Sequence, residues 1–134
     1  MNIPYGSTNR SPEEKRKEKP RRFTSMIELN PEKELYYREL HANVWPSVLK
    51  RLAESQLRQF SISMAPISGK KYLVSHFEYW GDDFESDMAK IAKDPETQRW
   101  WRETDPCQIP LTERESGGHW MNLEEVFFFN PKNI

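Results

Sequence analysis

The sequence predicts an α+β domain whose elements follow one another in the order β-α-β-β-α-β. Two observations support this prediction. Segments in which apolar and polar residues alternate, as in half-buried strands, are separated by segments with apolar residues three or four positions apart, as in amphipathic helices. Proline, asparagine and glycine residues mark the boundaries between these segments. The chain has 134 residues, which is the length of one domain with one core.

The first strand and the first helix lie near the start of the domain. Residues 22–29 alternate between apolar and polar side chains, which predicts a strand. Asn30 followed by a proline is typical of a helix start, because asparagine caps the first turn and proline suits the first helical position. The helix is predicted over residues 31–41, with Leu35 and Leu40 directed towards the core.

A second helical piece and a β-hairpin follow. Pro46 must break or kink the first helix, because proline cannot donate the backbone hydrogen bond of a helix interior. A second helical piece is therefore predicted over residues 46–54. Residues 57–64 alternate again, and residues 71–80 are rich in side chains that favour strands. The turn-forming residues between these two segments predict that they pair as a hairpin.

The last third of the chain completes the order of elements. Residues 82–93 carry apolar side chains at helical spacing, Pro95 starts a short further helix, residues 104–122 have a loop composition, and residues 123–129 predict a final strand. This is the ferredoxin-like plan, in which the helices cover one face of a four-stranded antiparallel sheet. The other face still carries apolar side chains. We therefore expect two copies to pack sheet against sheet as a dimeric α+β barrel.

The N-terminal segment differs in composition from the rest of the chain. Residues 1–20 carry few apolar side chains and cannot bury enough surface to become ordered. We predict a flexible charged N-terminal arm over residues 1–20 and one folded domain over residues 21–134. Glu13, Glu14 and Glu18 dilute the positive charge of this arm, which favours a solvated tail over an RNA-binding or targeting segment.

Charge and composition bear on the class of partner and the compartment. The net charge is -1, with 20 basic and 21 acidic residues, so no overall field favours nucleic acid or an anionic membrane. No apolar run approaches the roughly 20 residues that span a bilayer, and the N-terminus lacks the apolar stretch of a signal peptide. Cys107 is the one cysteine in the sequence, which predicts a reducing compartment, the cytoplasm.

The first candidate site residues lie on the first predicted helix. Tyr37 and His41 are four positions apart and therefore share one helix face, with Trp45 a further four positions along the chain. Histidine accepts and donates protons near neutral pH, and tyrosine adds a hydroxyl and a flat ring. The spacing alone leaves open a purely structural role for both side chains.

An adjacent pair of tryptophans adds a second candidate feature. Trp100 and Trp101 differ by about 100° around a helix, so both rings cannot point into one core. One ring can pack while the other faces a cleft, where an aromatic ring beside hydroxyl donors can hold a sugar. The alternative is that both rings anchor the core or a dimer interface.

The remaining histidines do not indicate a metal or cofactor site. The three histidines lack the spacing of an HExxH or Cys/His motif, and the sequence has neither a glycine-rich phosphate loop nor a nucleophile elbow. His76 is interpreted as a packed residue of a strand. His119 follows two glycines and is interpreted as an ordinary loop residue, although it could lie near the mouth of a pocket.

Four short motifs occur in a fixed order along the chain: Tyr37-x-x-x-His41, Trp45-Pro46, Gln98-Arg99-Trp100-Trp101 and Glu125-Val126-Phe127. As an ordered set they resemble the L-rhamnose mutarotase family, and the resemblance covers about residues 22–130. Members of that family are cytoplasmic, metal-free homodimers of ferredoxin-like fold that interconvert the α and β anomers of L-rhamnose and related sugars. The resemblance implies an isomerase that binds a monosaccharide and needs no cofactor.

The resemblance also implies roles for individual residues. His41 would be the general acid/base, and Tyr37, Trp100 and Trp101 would line the sugar site. Phe60 occupies a substrate-binding position on the second strand where the family usually has a tyrosine, so the identity of the sugar is open. Two alternatives share the fold, namely an enzyme like the dimeric α+β barrel monooxygenases and haem-degrading enzymes, and a non-catalytic sugar-binding protein.

Overall fold

Three long antiparallel strands form the centre of the sheet. The computed structural model describes residues 1–133, in which β1 spans Arg21–Leu29, β2 spans Leu57–Ile67 and β3 spans Lys70–Tyr79. β2 and β3 form the predicted hairpin, and β1 pairs with the other edge of β3. Ser68 and Gly69 connect the hairpin, both at positive φ, as the right-handed twist of paired strands requires of a two-residue turn.

Residues 1–133 contain five α-helices: α1 Pro12–Lys15, α2 Glu34–Ala42, α3 Pro46–Glu54, α4 Phe84–Lys93 and α5 Pro95–Thr104. α1 lies in the N-terminal arm before β1, and the other four follow the long strands. A single 3-10 turn over Pro31–Lys33 precedes α2, with the predicted asparagine cap in position. The two C-terminal helices begin at aspartate caps, since Asp83 accepts a hydrogen bond from the Ser86 N–H and Asp94 from the Thr97 N–H. None of the helices within residues 1–133 is long and apolar enough to cross a membrane.

Helices α2 to α5 pack on one face of the sheet, where two core clusters form. One cluster consists of Ile27, Leu29, Tyr37, Leu73 and Cys107, and the other centres on Leu57, Tyr79 and Ile91. The buried residue of α2 is therefore Tyr37. The prediction that Leu35 faces the core is wrong, because this side chain is 72% exposed.

A β-bulge interrupts β2 where it faces β3. Arg58 pairs with Glu78 and Ser61 with His76, so Gln59 and Phe60 together lie opposite Phe77 alone. Gln59 has φ 52°, in the left-handed region that accommodates the extra residue. Because side chains alternate along a strand, the extra residue brings Phe60 onto the helix-covered face that also receives Leu57.

The final strand differs from the prediction. The edge beside β1 is formed by two short strands, β4 over Gln108–Ile109 and β5 over Met121–Asn122, and the sheet order is β2-β3-β1-β4 with β5 also on β1. The Leu123 N–H donates to the Thr24 carbonyl, but the predicted strand over residues 123–129 forms no further ladder. Its backbone instead contacts the N-terminal arm, since the Phe128 N–H donates to the Thr8 carbonyl.

The N-terminal arm contains a capped helical turn and contacts the segment that follows β5. Ser11 and Glu14 form a reciprocal capping box at the start of α1. Lys15 donates to the Glu125 carbonyl at 2.5 Å, and Arg22 forms ion pairs with Glu18 and Glu125 at 2.7 and 2.8 Å. These contacts give the arm a defined path along the domain. Its flexibility in solution stays a prediction.

Candidate active site

A cavity of about 440 Å³ lies between the helices and the sheet, and it brings together all five residues singled out from the sequence. Its volume is within the range of small-molecule sites. The cavity is lined by Tyr37, His41, Phe60, Trp100 and Trp101, together with residues of β1, β3 and the segment 104–120. Residues far apart in the chain therefore converge on one space that can hold a ligand.

The space exists because two small residues occupy inward positions in the middle of the sheet. Ser25 of β1 faces Ser75 of β3, and their hydroxyls are 2.7 Å apart. On one side of this pair Phe23 opposes Phe77, and on the other Ile27 opposes Leu73, so large side chains flank it along both strands. The serines leave room beneath the helices and give the cavity a hydroxylated floor.

His41 is held in one orientation near the end of α2. Its Nδ1 lies 2.9 Å from the Tyr37 carbonyl, one turn earlier on the same helix. A carbonyl only accepts, so Nδ1 carries the hydrogen and Nε2 has the free lone pair when the ring is neutral. Burial lowers the pKa of His41, against a smaller opposing effect of this hydrogen bond. His41 is therefore neutral at pH 7 and can accept a proton at Nε2.

Aromatic rings fix the position of the imidazole. Tyr37 stacks on His41 with 4.0 Å between ring centroids, and Trp100 meets the imidazole edge-on at 5.2 Å. Trp45 in turn meets Trp100 edge-on at 5.0 Å, and the Arg99 guanidinium lies over the Trp45 ring at 4.1 Å. The first three of the four motifs thus form one packed unit around the histidine.

The two tryptophans of α5 have different environments, as the rotation between adjacent helical residues requires. Trp100 is 7% exposed and packs beside His41, whereas Trp101 is 39% exposed. Both rings line the cavity. A half-exposed indole at the wall of a cavity offers a flat apolar surface to a ligand.

Tyr37 carries a hydroxyl that is buried and lacks a hydrogen-bond partner within residues 1–133. Burial raises the pKa of this hydroxyl to about 12. The Gln108 side chain lies near enough to lower this pKa slightly as a donor, but it does not meet the geometry of a hydrogen bond to the hydroxyl. The group is therefore a protonated donor at neutral pH. An unpaired buried hydroxyl is costly, so this one is suited to pair with an oxygen of a ligand in the cavity.

One wall of the cavity is apolar. Phe60, at the bulge in β2, stacks on Phe77 with 5.3 Å between ring centroids, and Ile62 lines the same wall. The cavity therefore offers hydroxyl and imidazole groups on one side and hydrocarbon on the other. This combination suits a ligand that has several hydroxyls and an apolar face.

The segment 104–120 contributes further residues, of which the sequence analysis considered only His119, as an ordinary loop residue that could lie near the mouth of a pocket. Gln108, Asp105 and Thr104 line the cavity, as do His119 and Trp120 from the loop between β4 and β5. Their sequence context has no periodicity that would have indicated an inward direction. The one available signal was the pair of glycines before His119, which permits a sharp return of the chain towards the sheet.

The arrangement can transfer protons between the oxygen atoms of a polyhydroxylated ligand. The titratable side chains that line the cavity are Tyr37, His41, Asp105 and His119. Among residues 1–133, no group of three or more His, Cys, Asp or Glu side chains is arranged to hold a metal ion.

Comparison with known proteins identifies the family. The model of the L-rhamnose mutarotase family matches residues 22–129. The chain belongs to the L-rhamnose mutarotase family. Its members are isomerases that interconvert sugar anomers, so the isomerase class predicted from the sequence is confirmed. The match begins at residue 22, and the N-terminal arm lies outside it.

Individual members of the L-rhamnose mutarotase family support this assignment. An L-rhamnose mutarotase from Mesorhizobium japonicum is 26% identical over 102 residues, which are 69% of this chain and 92% of that protein. The crystal structure of an L-rhamnose mutarotase from Formosa agariphila is similar with a TM-score of 0.61 and 21% identity, covering 81% of this chain and 98% of that one. This likeness confirms the predicted α+β, ferredoxin-like fold.

Proposed function

We propose that this chain is a mutarotase that interconverts the α and β anomers of L-rhamnose or a related deoxyhexose. The observation that carries the proposal is the convergence of Tyr37, His41, Trp100 and Trp101 on one cavity, with His41 neutral and its Nε2 free to accept a proton. These are the positions that the family resemblance assigns to the sugar site. In the proposal His41 is the general acid/base, while Tyr37, Phe60, Trp100 and Trp101 bind the monosaccharide.

The reaction requires only proton transfers between oxygen atoms and one rotation. Nε2 of His41 takes the proton of the anomeric hydroxyl, the bond between C1 and the ring oxygen breaks, and the ring oxygen takes a proton from a second donor, which is water or another side chain of the cavity. The open-chain aldehyde rotates about the C1–C2 bond and closes on its other face as both transfers reverse. A positioned acid/base accelerates such steps by about 10²–10⁴-fold.

The surrounding residues orient the sugar for these steps. Trp101 and the Phe60 wall contact its C–H faces and its methyl group, whereas Tyr37 and the floor serines bind its hydroxyls. Fixed orientation of the reacting oxygens adds to the rate beyond the proton transfer itself. The oxygens of the sugar satisfy the buried Tyr37 hydroxyl, which has no partner within residues 1–133.

Two further features complete the proposal. We propose a homodimer, because Val126, Phe127 and Phe129 are exposed after β5, and Met26 and Val74 are only half-buried on the sheet face opposite the helices. A second copy would cover this surface. Sedimentation of the full chain and of a chain starting at residue 21 tests the dimer, and a stable monomer of both would contradict it.

We also propose a cytoplasmic location, which suits a single buried thiol.

Magnetisation-transfer NMR tests the reaction directly. Exchange between α and β anomeric protons is measured with and without protein for a panel of 6-deoxy and ordinary hexoses. We expect wild-type protein to accelerate exchange of at least one 6-deoxy sugar, and His41→Ala to lower the catalysed rate by about 10²–10⁴-fold. His76→Gln is the matched control, because His76 lies outside the cavity and is hydrogen-bonded to Thr24 on the opposite face of the sheet. Since that face is the proposed dimer surface, sedimentation must show that this variant keeps the oligomeric state of the wild type.

Two results would contradict the proposal in different ways. If wild-type protein accelerates no sugar of the panel, the mutarotase function is wrong for this chain. If wild-type protein is active and His41→Ala retains a near-normal rate with an unchanged melting temperature, the function stands and the assigned acid/base is wrong.

A further inference from the structure

A second imidazole, His119, lines the same cavity as His41. It belongs to the loop between β4 and β5, directly after Gly117 at φ +81° and Gly118. The loop returns here to the sheet edge, since Met121 pairs with Met26 of β1. The side chain is 38% exposed, so His119 is accessible both to the cavity and to solvent.

The neighbours of His119 fix which of its nitrogens carries a hydrogen. Nε2 lies 2.9 Å from Oε1 of Gln108 and 3.7 Å from Oδ1 of Asp105. Both oxygens only accept, so Nε2 carries the hydrogen, and Nδ1 is the nitrogen that can exchange a proton with a ligand. When the ring is protonated, the Asp105 carboxylate forms an ion pair with it. This is the arrangement of an acid/base held in place by a third group.

The chemistry of ring opening leaves a task for such a group. One proton must leave the anomeric oxygen and another must arrive at the ring oxygen. His41 can exchange a proton only through Nε2, because its Nδ1–H is hydrogen-bonded to the Tyr37 carbonyl. Of the other titratable side chains that line the cavity, Tyr37 has a pKa of about 12 and stays protonated, and Asp105 is the ion-pair partner of His119. Histidine is the side-chain type that both gives and takes a proton near neutral pH.

We propose that His119 is the second proton-transferring residue of the site, a role that rests on the proposed mutarotase function. Neutral His41 takes the proton of the anomeric hydroxyl, and the electron pair of that O–H bond forms the C=O double bond of the aldehyde. The electron pair of the bond between C1 and the ring oxygen moves to the ring oxygen, which receives the Nδ1 proton of protonated His119. Opening thus leaves His41 protonated and His119 neutral. Ring closure on the other face returns both protons, so the cycle consumes none.

The test compares His119→Gln with wild-type protein in the NMR exchange assay, at several sugar concentrations and from pH 5 to 9. We expect kcat to fall by about 10²-fold with KM changed less than threefold. One limb of the pH dependence of kcat should disappear. Added imidazole should restore part of the rate of a His119→Ala variant, which a purely structural residue would not allow. His76→Gln should retain the wild-type kcat and pH profile.

Three outcomes would overturn the proposal. Retention of kcat within twofold by His119→Gln, with an unchanged pH profile, shows that His119 transfers no proton. A rise in the KM of His119→Gln without a fall in kcat shows that His119 binds the sugar and transfers no proton. A loss of kcat in His119→Ala that imidazole does not restore, together with a lowered melting temperature, shows that His119 has a structural role. If wild-type protein itself exchanges no sugar, the proposed function fails first and the role of His119 fails with it.

Discussion

Replacing Tyr37 with phenylalanine should separate the stability of this protein from its activity. The Tyr37 side chain is 3% exposed, and its hydroxyl has no hydrogen-bond partner within residues 1–133. A buried hydroxyl without a partner costs about 1–3 kcal/mol of folding free energy. Phenylalanine keeps the ring that stacks on His41 and removes only the oxygen.

The two effects have opposite signs. Removing the hydroxyl relieves the desolvation cost but leaves a small void, so we expect the free energy of unfolding to rise by about 1 kcal/mol. For a chain of this length that is an increase of roughly 3–5 °C in melting temperature. In the sugar complex the variant lacks one neutral hydrogen bond, worth about 0.5–1.5 kcal/mol, and should bind about 2- to 13-fold more weakly.

Chemical denaturation and sugar titration measure the two effects on the same sample. Tyr36→Phe is the matched control, because Tyr36 is the adjacent residue and its hydroxyl donates to Glu103 at the surface. This control should change neither quantity by more than about 0.5 kcal/mol. If Tyr37→Phe lowers the free energy of unfolding by 1 kcal/mol or more, the hydroxyl is paired in the free protein, and our view that it awaits a ligand oxygen is wrong.

Three further predictions follow from the site and the core. Because burial lowers the pKa of His41 below its ordinary value of 6.5, the unfolded chain binds more protons just below that pH. Stability should fall as pH drops through this window, and His41→Asn should weaken that dependence in denaturation at pH 5.5 and 7.5. Ser75→Val should fill the cavity floor and lower anomer exchange at least about tenfold, and it should lower the free energy of unfolding by about 1 kcal/mol, because the Ser25 hydroxyl loses its partner; an active variant would contradict our account of the floor. Gly81→Ala should cost about 1–3 kcal/mol, because the added Cβ clashes with the buried Tyr79 hydroxyl, whereas Gly6→Ala should be neutral in the same denaturation series.

The elements with strong periodicity could be predicted from the sequence. The alternation in residues 22–29 and the proline at position 46 led to β1 and α3 nearly as they occur. Local signals suffice there, because hydrogen bonding and capping within these segments depend on neighbouring residues. The same reasoning failed for Leu35, since α2 turns the face with Tyr37 and His41 towards the sheet and leaves Leu35 on the exposed side.

The edge of the sheet and the polar wall of the cavity could not be predicted in the same way. Residues 123–129 have the composition of a strand, but they contact the N-terminal part of the chain instead of extending the sheet. Glu125 forms an ion pair with Arg22 and accepts a hydrogen bond from Lys15 at its carbonyl, and the Phe128 N–H donates to the arm. This competition between two segments far apart in the chain has no local signature. The segment around Gln108 and the loop that contains His119 have no period, so periodicity predicts no inward direction for their side chains. Only the two glycines before His119 left open its position near the mouth of a pocket.

Phe60 illustrates how a structural irregularity and a substitution combine to set specificity. Without the bulge at Gln59, strand alternation would turn Phe60 away from the cavity, so its position in the wall depends on that extra residue. By family resemblance a tyrosine usually stands here, and a sugar oxygen left unpaired costs about 1–3 kcal/mol, or about 5- to 150-fold in affinity.

We therefore predict that wild-type protein prefers another deoxy sugar, such as L-fucose, to L-rhamnose. Phe60→Tyr should keep the stack on Phe77 and shift the ratio of kcat/KM towards L-rhamnose. The Phe60 side chain is 43% exposed, so water competes for the new hydroxyl and the shift should be near the lower end of the range above, about 5-fold.

The panel of sugars serves as the control for this variant, because a general loss of activity leaves the ratio of kcat/KM between two sugars unchanged. If wild-type protein exchanges L-rhamnose best and Phe60→Tyr does not alter the ratio, the missing hydroxyl has no part in selecting the sugar. A water molecule or a neighbouring polar side chain would then supply the lost hydrogen bond, and L-rhamnose itself would be the substrate.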